Sequence, residues 1–250
     1  MADHRRGAVR TAVVWEALAA SLQRRQSELT ESRPLHVLDL GGGTGGFAVR
    51  VAEAGHRATV VDPSPDALAS LARRAADADV SEQVRGLQGD SSDLLEVVEK
   101  ASADVVLCHG VLEVVDDPAD ALQAVAAVLR PRGLLSLLVT QRHAAVLAKA
   151  LAGHLADARH LLVDPAGRWG DADPVPRRYT EREVVALLTA AGFEVTDAHG
   201  VRVFTDLVPS TLVDSEPGAA EALYALETEV ADRPEFRAVA TQLHVLATLH

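Results

Sequence analysis

Five glycines and two acidic residues near the start of the chain are the residues best suited to bind a cofactor. The stretch VLDLGGGTGGF, residues 37–47, ends an apolar run and places five glycines within six positions. A glycine has no Cβ, so it can adopt a positive φ and let a ligand lie against the backbone. Asp62 follows 21 residues after Gly41, and its carboxylate can accept hydrogen bonds from both hydroxyls of a ribose. The pattern therefore predicts a site for a nucleoside-containing cofactor.

The glycine spacing by itself fits two classes of cofactor. Gly41, Gly43 and Gly46 satisfy the dinucleotide pattern G-x-G-x-x-G, which is typical of NAD(P)-dependent oxidoreductases. Gly41, Gly43 and Gly45 also satisfy G-x-G-x-G, preceded by Asp39. Asp39 places a carboxylate beneath the turn, where negative charge disfavours a pyrophosphate and suits the ammonium group of an amino-acid tail.

The elements that must position these residues alternate between strand and helix. This alternation predicts a Rossmann-like α/β fold: a seven-stranded, mostly parallel sheet with an antiparallel last strand, helices on both faces, and helical appendages at both ends. The five predicted parallel strands are Leu35–Leu40, Ala58–Val61, Val84–Leu87, Ala103–Cys108 and Leu134–Val139.

Helix start signals separate these strands. Ser64 before Pro65, Asp117 before Pro118, and the capping-box pair Thr180 and Glu183 each predict the beginning of a helix. A first helix is predicted over residues 7–29. Beyond 192, the pattern predicts a terminal hairpin of Phe193–Ala198 and Val201–Asp206 turning at His199-Gly200, and then helical spacing over 217–247.

Composition narrows the classes of function. The net charge of −12 argues against broad electrostatic attraction to nucleic acid or to an anionic membrane. The single cysteine, Cys108, excludes a disulfide within the chain and fits a cytoplasmic location. No long apolar stretch follows the positive charges at the N-terminus, so we expect no signal peptide. The longest apolar runs also fall short of the roughly 20 residues that a membrane-spanning helix needs, so we expect no membrane partner. No ligand spacing for a metal stands out, and the oligomeric state cannot be read from the sequence.

The combined pattern resembles the class I S-adenosylmethionine (SAM)-dependent methyltransferases over residues 35–139. The matching stretches are VLDLGGGTGG, VVDPSPDAL, GDSSDL and DVVLCHGVLEVVDDPADALQAVAAVLRPRGLLSLL. The resemblance implies that SAM is the cofactor and S-adenosylhomocysteine the product. It implies that the glycine turn contacts the methionine part, that Asp62 binds the ribose, and that residues after the third strand flank the adenine. The implied cofactor-binding residues are Asp39, Gly41, Gly42, Gly43, Asp62, Asp90, Ser91 and Ser92.

Further stretches are similar to a narrower family, the bacterial tRNA 5-carboxymethoxyuridine methyltransferases. They include GAVRTAVVWEAL, CHGVLEVVDDP and YALETEVADRPEFRAVATQLHVLA. This resemblance adds Arg10 and His109 as cofactor contacts, and it implies methyl ester formation on a wobble-uridine carboxylate. It also implies three segments: an N-terminal helical cap (1–32), a SAM-binding domain (33–210, with 141–179 as an acceptor-side insertion or lid) and a C-terminal helical extension (211–250).

The acceptor remains open between tRNA and a small molecule. A carboxylate acceptor is ionised at neutral pH and needs a cation rather than a general base. Arginine suits this role best, because its guanidinium can donate two parallel hydrogen bonds to a carboxylate. Arg177, Arg178 and Arg202 are the candidates, and Tyr179 is a candidate for lining the acceptor pocket. A hydroxyl or amine acceptor would instead need a base, for which His109 and His244 are the candidates.

Overall fold

The chain forms two compact units, each built from several segments. The computed structural model describes residues 2–29 and 33–250, with side chains described from residue 11 onward except at 210, 214 and 215. Unit 1 comprises Met1–Ala19, Leu138–Val184 and Asp197–His244. Unit 2 comprises Ala20–Leu137, Val185–Thr196 and Val245–His250. The glycine turn and Asp62 both belong to unit 2.

The seven-stranded sheet predicted from the sequence is confirmed. Its strands are β1 His36–Leu40, β2 Arg57–Asp62, β3 Val84–Gln88, β4 Ala103–His109, β5 Leu129–Thr140, β6 Phe193–Val201 and β7 Gln242–Leu249. Their spatial order is β3-β2-β1-β4-β5-β7-β6, and the sheet is mostly parallel with an antiparallel last strand.

The central strands bring the predicted cofactor residues to one edge of the sheet. β1 pairs in parallel with β2 and with β4, and Leu40 lies opposite both Val61 and Cys108. All of β4 before His109 is buried, as expected of a continuous apolar strand covered on both faces. Because parallel strands end at the same edge, the residues that follow β1, β2 and β4 are neighbours.

Helices occupy the connections between the strands, and the three predicted helix caps are confirmed. Ser64 Oγ accepts from the Ala67 amide, and Asp117 Oδ1 accepts from the Ala119 amide. The Glu183 carboxylate accepts from both the amide and the hydroxyl of Thr180. None of the helices within the described residues is both long and apolar enough to cross a membrane. The helices are α1 Ala2–Glu28, α2 Gly46–Glu53, α3 Pro65–Asp77, α4 Leu94–Val97, α5 Pro118–Val128, α6 Arg142–Leu151, α7 Leu155–Val163, α8 Glu181–Ala190, α9 Ser210–Ser215, α10 Ala219–Val230 and α11 Pro234–Arg237.

Two predictions for the C-terminal region are wrong. The expected hairpin at His199-Gly200 does not form, because β6 runs on to Val201 and the following residues make a loop. Gly200 does not form a turn. It allows the backbone at Arg237 to pack closely against β6, since a Cβ on Gly200 would lie 2.9 Å from Arg237 Cα. The helical spacing predicted to 247 also fails, since Gln242–Leu249 is strand β7. Its run from Leu243 to Ala247 is buried throughout, which suits an inner strand better than an amphipathic helix.

A buried carboxylate joins the beginnings of β1 and β4 within unit 2. Asp104 is fully buried and accepts two hydrogen bonds from the Arg33 guanidinium, at 2.7 and 2.6 Å, and one from the His36 amide. Arg130 Nη1 lies 2.8 Å from Asp104 Oδ2. Burial opposes ionisation of Asp104, but these donors outweigh it and lower its pKa to about 2. The first strand of the sheet is thereby anchored at the end opposite the glycine turn.

Candidate functional site

The glycine turn packs too closely for side chains at three of its positions, and a Cβ on the first, Gly41, would lie 2.7 Å from Val111 Cγ2. The other two positions are Gly42 and Gly45. A Cβ on Gly42 would lie 2.5 Å from the Asp39 carboxylate. Gly45 has a φ of 77°, and a Cβ there would lie 2.0 Å from Leu71 Cδ1 in α3. Glycine is therefore required at all three positions, because the turn lies directly against Val111, Asp39 and α3.

Asp62 fastens this turn to the start of α3. Its Oδ2 accepts a hydrogen bond from the Gly43 amide at 2.9 Å, and its Oδ1 accepts one from the Ser64 amide at 2.9 Å. The residue lines the adjacent cavity while remaining only 8% exposed. Each carboxylate oxygen has a second lone pair, so the fixed carboxylate retains the capacity to accept from ligand hydroxyls.

Asp39 lies beneath the turn in a low-dielectric position. It is 3% exposed, and burial together with the nearby charge of Asp62 raises its pKa to about 7. At neutral pH its carboxyl group is therefore divided between the protonated and ionised forms. A cationic ligand group placed against the turn would favour the ionised form, whereas an anionic group would be repelled by it.

A cavity of about 780 Å³ opens at this edge of the sheet, and its charge is uniformly negative. No lysine or arginine occurs among the described residues that line it. A pyrophosphate would be poorly held here, while a neutral or cationic ligand such as a sulfonium compound is well matched. The acidic lining residues are Asp62, Asp90, Glu96, Asp116, Asp117 and Asp120.

The loop after β3 is held in a fixed shape at the cavity wall. Asp90 Oδ1 accepts from the amide and the hydroxyl of Ser92, at 2.7 and 2.6 Å, and these bonds lower the pKa of Asp90. Asp93 in turn accepts from the Asp90 amide at 2.6 Å. Asp90, Ser91 and Ser92 all line the cavity. The structure thus places the residues predicted to flank an adenine at the same cavity as Gly41 and Asp62.

His109 ends β4 at the cavity and is neutral at physiological pH. Its Nε2 lies 2.9 Å from Ser136 Oγ, and its ring meets that of Phe47 edge-on with centroids 4.9 Å apart. Burial lowers its pKa to about 4. The side chain is therefore suited to hydrogen bonding and shape, and it is a weak general base.

Apolar residues that sequence reasoning left unassigned complete the cavity. Val111, Val114 and Val115 follow β4, and Leu95 comes from α4. Val114 is 66% exposed and Leu95 is 44% exposed, so both present apolar surface to the cavity. The sequence feature that could have indicated these residues is the segment GVLEVV, residues 110–115, where aliphatic residues continue beyond the end of the buried strand β4.

Arg178 and Tyr179, two residues predicted to contact the methyl acceptor, are buried in unit 1. Arg178 makes a buried bidentate pair with Asp173, at 2.6 and 3.0 Å, and also donates to the Gly167 carbonyl. Tyr179 is buried, and its amide donates to the Thr140 carbonyl at 2.9 Å. The catalytic roles assigned to Arg178 and Tyr179 remain predictions.

Arg202 is presented differently. It has a φ of 61°, its side chain is 26% exposed, and its Nη2 donates to Asp206 Oδ1 at 2.7 Å. The loop after it is fixed by Glu227, whose carboxylate accepts from the amides of residues 203–205. The predicted role of Arg202 and that of Arg10, whose side chain lies outside the described residues, also remain predictions. His244 is fully buried and stacks on His199.

Comparisons with known proteins agree with this geometry. A family model described as a methyltransferase domain matches residues 38–135. The tRNA 5-carboxymethoxyuridine methyltransferase of Escherichia coli (strain K12) is 31% identical over 243 residues, which cover 97% of this chain and 88% of that protein. The ubiquinone biosynthesis O-methyltransferase of Xanthomonas axonopodis pv. citri (strain 306) is 31% identical over 169 residues, 66% of this chain and 65% of that protein. A solved structure of Burkholderia thailandensis 1,6-didemethyltoxoflavin-N1-methyltransferase, with 1,6-didemethyltoxoflavin and S-adenosylhomocysteine bound, gives a TM-score of 0.54 at 25% identity over 92% of this chain and 76% of that one.

Fold, cavity and relatives together define a class I SAM-dependent methyltransferase, an enzyme that uses SAM and releases S-adenosylhomocysteine. The alternative of an NAD(P)-dependent oxidoreductase is not supported, and the acidic cavity gives the physical reason. Because one match extends over nearly the whole of both sequences, the chain belongs to the same family as the Escherichia coli tRNA 5-carboxymethoxyuridine methyltransferase.

Proposed function

We propose that the enzyme transfers the methyl group to a carboxylate, and that this carboxylate belongs to a carboxymethoxyuridine of tRNA in the cytoplasm. The observation that carries the proposal is the extent of the match to the Escherichia coli enzyme, 97% of this chain. The methyltransferase-domain model accounts for residues 38–135 only. The additional matched residues lie outside that domain, so the likeness to the Escherichia coli enzyme goes beyond the fold that many methyltransferases share.

The chemistry of a carboxylate acceptor fits the groups present. SAM, when bound, supplies an already activated methyl group, so the protein has to bind and orient rather than to form a covalent intermediate. A hydroxyl acceptor would need a base near pH 7, and the pKa of His109, lowered to about 4, makes it a poor one. A carboxylate is already ionised, so a neutral His109 need only donate or accept a hydrogen bond.

We assign the orientation of the acceptor carboxylate to Arg202 in preference to Arg178. The Arg178 guanidinium already forms a buried bidentate pair with Asp173. Moving the guanidinium to a substrate would leave the buried Asp173 carboxylate unpaired. Arg202 holds Asp206 by one nitrogen only and is partly exposed. A substrate carboxylate can therefore replace Asp206 as the partner of the Arg202 guanidinium with the loss of one hydrogen bond. The bond to Asp206 also shows that this guanidinium can bind a carboxylate.

A carboxylate on a small molecule is the second candidate acceptor, and the charge of the chain favours it. Phosphate contacts supply most of the nonspecific affinity for nucleic acid, and a chain of net charge −12 offers few of them. The two acceptors share the methyl ester product. They differ in whether the product is attached to RNA.

A labelling experiment distinguishes these outcomes. SAM with a labelled methyl group is incubated with the enzyme and with undermethylated tRNA, or with a small-molecule extract. Label in tRNA that mild alkali removes supports the tRNA ester, and label only in small molecules supports the second candidate. Alkali-stable label in either fraction would refute a carboxylate acceptor.

A matched pair of arginine variants tests the assignment of Arg202. Arg202→Gln should raise the KM for the acceptor at least about tenfold, since one charge-assisted hydrogen bond is worth about 1.5–3 kcal/mol. Arg233→Gln removes a guanidinium from a similar (i, i+4) pair, with Glu229 at 2.8 Å, and should leave KM unchanged. Equal KM values for the two variants would rule out the assignment.

A further inference from the structure

Ser136 is the one polar residue in the sequence run LLSLLV, residues 134–139 of β5. Its side chain is fully buried, as are those of Leu135 and Leu137 beside it. A buried hydroxyl costs free energy unless it forms a hydrogen bond, and an aliphatic residue would pack at this position without that cost. The presence of serine here is therefore better explained by the partner of its hydroxyl than by packing.

The hydroxyl of Ser136 contacts the histidine that ends the neighbouring strand. β4 and β5 are adjacent in the sheet, and Ser136 Oγ lies 2.9 Å from His109 Nε2. Because Nε2 lies at the end of the imidazole away from the backbone, this contact fixes the direction of the ring. The edge-on contact with Phe47 of α2, with ring centroids 4.9 Å apart, limits its rotation further. The imidazole is thereby held in one orientation.

The same contact distinguishes the two ring nitrogens of His109. Burial lowers the pKa of His109 to about 4, so the imidazole is neutral at pH 7 and carries one proton, on Nδ1 or on Nε2. The hydrogen bond at one nitrogen decides which nitrogen is protonated. A hydroxyl held at Nε2 therefore also sets whether Nδ1 donates or accepts a hydrogen bond.

Of these two residues, only His109 reaches the cofactor cavity. His109 is among the residues that line that cavity, and Ser136 is not. Ser136 is fully buried, so it cannot touch a ligand and can act only through His109. We propose that Ser136 is a positioning residue for the cofactor: it holds His109 in the orientation and the tautomer that hydrogen-bond to bound SAM or S-adenosylhomocysteine. The inference does not depend on which acceptor receives the methyl group.

A matched pair of variants, Ser136→Thr and Ser136→Val, tests the proposal by titration calorimetry with S-adenosylhomocysteine. Both add bulk at a fully buried position and have nearly the same shape, but only threonine keeps the hydroxyl. S136V should weaken the affinity about three- to tenfold through the misplaced hydrogen bond of His109, and S136T should retain most of it. Ser21→Ala, which removes a buried hydroxyl elsewhere in unit 2, should leave the affinity unchanged. Ser136→Ala adds no bulk and gives the same comparison if S136V does not fold.

Nitrogen-15 NMR of the imidazole at pH 7 measures the tautomer directly, because protonated and bare ring nitrogens differ widely in chemical shift. The signals of His109 are identified by their loss in His109→Gln. The wild type and S136T should show one tautomer, whereas S136V should show a changed ratio of the two. The same tautomer ratio in S136T and S136V, or equal affinity of these two variants for S-adenosylhomocysteine, would overturn the proposal.

Discussion

Replacing Asp39 by asparagine should make the protein more stable at alkaline pH while weakening its cofactor site. The pKa of Asp39 is about 7 in the folded protein against 3.8 in an unfolded chain. Between these values the folded state holds a proton that the unfolded state has released, so stability falls as pH rises through this window and levels off above it. Ionised Asp39 then costs the folded state about 4 kcal/mol.

The D39N variant keeps the shape of the side chain and removes this titration. Urea denaturation of both proteins at pH 5 and pH 8 should show that the stability advantage of D39N grows by about 3 kcal/mol between the two values. Asp77→Asn, which removes an exposed carboxylate from the end of α3, is the control and should show no comparable growth. If the free energies of unfolding of D39N and the wild type differ by the same amount at pH 5 and pH 8, the pKa of Asp39 is not raised.

The same variant should bind S-adenosylhomocysteine less tightly. A cationic ammonium group against the turn favours ionised Asp39, so binding near pH 6.5 should release a proton from the wild type and none from D39N. Titration calorimetry in two buffers of different ionisation enthalpy measures this proton directly. Proton uptake, or release of the same size from both proteins, would contradict the placement of Asp39 beneath the cationic end of the ligand.

Three further changes test other parts of the account. Gly42→Ala should prevent S-adenosylhomocysteine binding and lower the melting temperature, because its Cβ would lie 2.5 Å from the Asp39 carboxylate; unchanged binding by calorimetry would refute this packing. Asp104→Asn should cost roughly 3 kcal/mol in urea denaturation at pH 7, with a smaller effect near pH 2 where the wild-type carboxylate takes up a proton; an equal cost at both values would contradict its lowered pKa. Glu227→Gln should cost about 2 kcal/mol and raise the acceptor KM without changing S-adenosylhomocysteine affinity, since it disturbs only the loop beside Arg202; a loss of cofactor affinity instead would refute that separation.

The cofactor half of the site was predictable because its signals are local in the sequence. A buried strand, a glycine turn and an acid at the end of the next strand lie within 26 residues, from Val37 to Asp62. Parallel pairing of β1 with β2 and β4 then brings Gly41, Asp62 and His109 together without further information. The helix caps at Ser64 and Asp117 were equally local, and they appear as predicted.

The last strand and the lining of the cavity depend on contacts distant in the sequence. β7 lies between β5 and β6 in the sheet, and nothing within Gln242–Leu249 says which strands will flank it. Its apolar run also continues the helical spacing of α10, so a periodicity argument favours the wrong structure. The acidic wall likewise combines Glu96 of α4 with Asp120 of α5, and their common orientation follows only from the packing of those helices.

The most direct test of the central claim is calorimetric titration of the purified protein with S-adenosylhomocysteine and with NAD⁺. We predict saturable one-to-one binding of S-adenosylhomocysteine and no binding of NAD⁺, because the acidic cavity accepts a nucleoside with an amino-acid tail and repels a pyrophosphate. Asp62→Ala should weaken the binding of S-adenosylhomocysteine at least about tenfold, since it removes the acceptor for the ribose and the bond to the Gly43 amide. Saturable binding of NAD⁺, or no binding of S-adenosylhomocysteine to the folded wild type, would contradict the conclusion that this cavity is a SAM site.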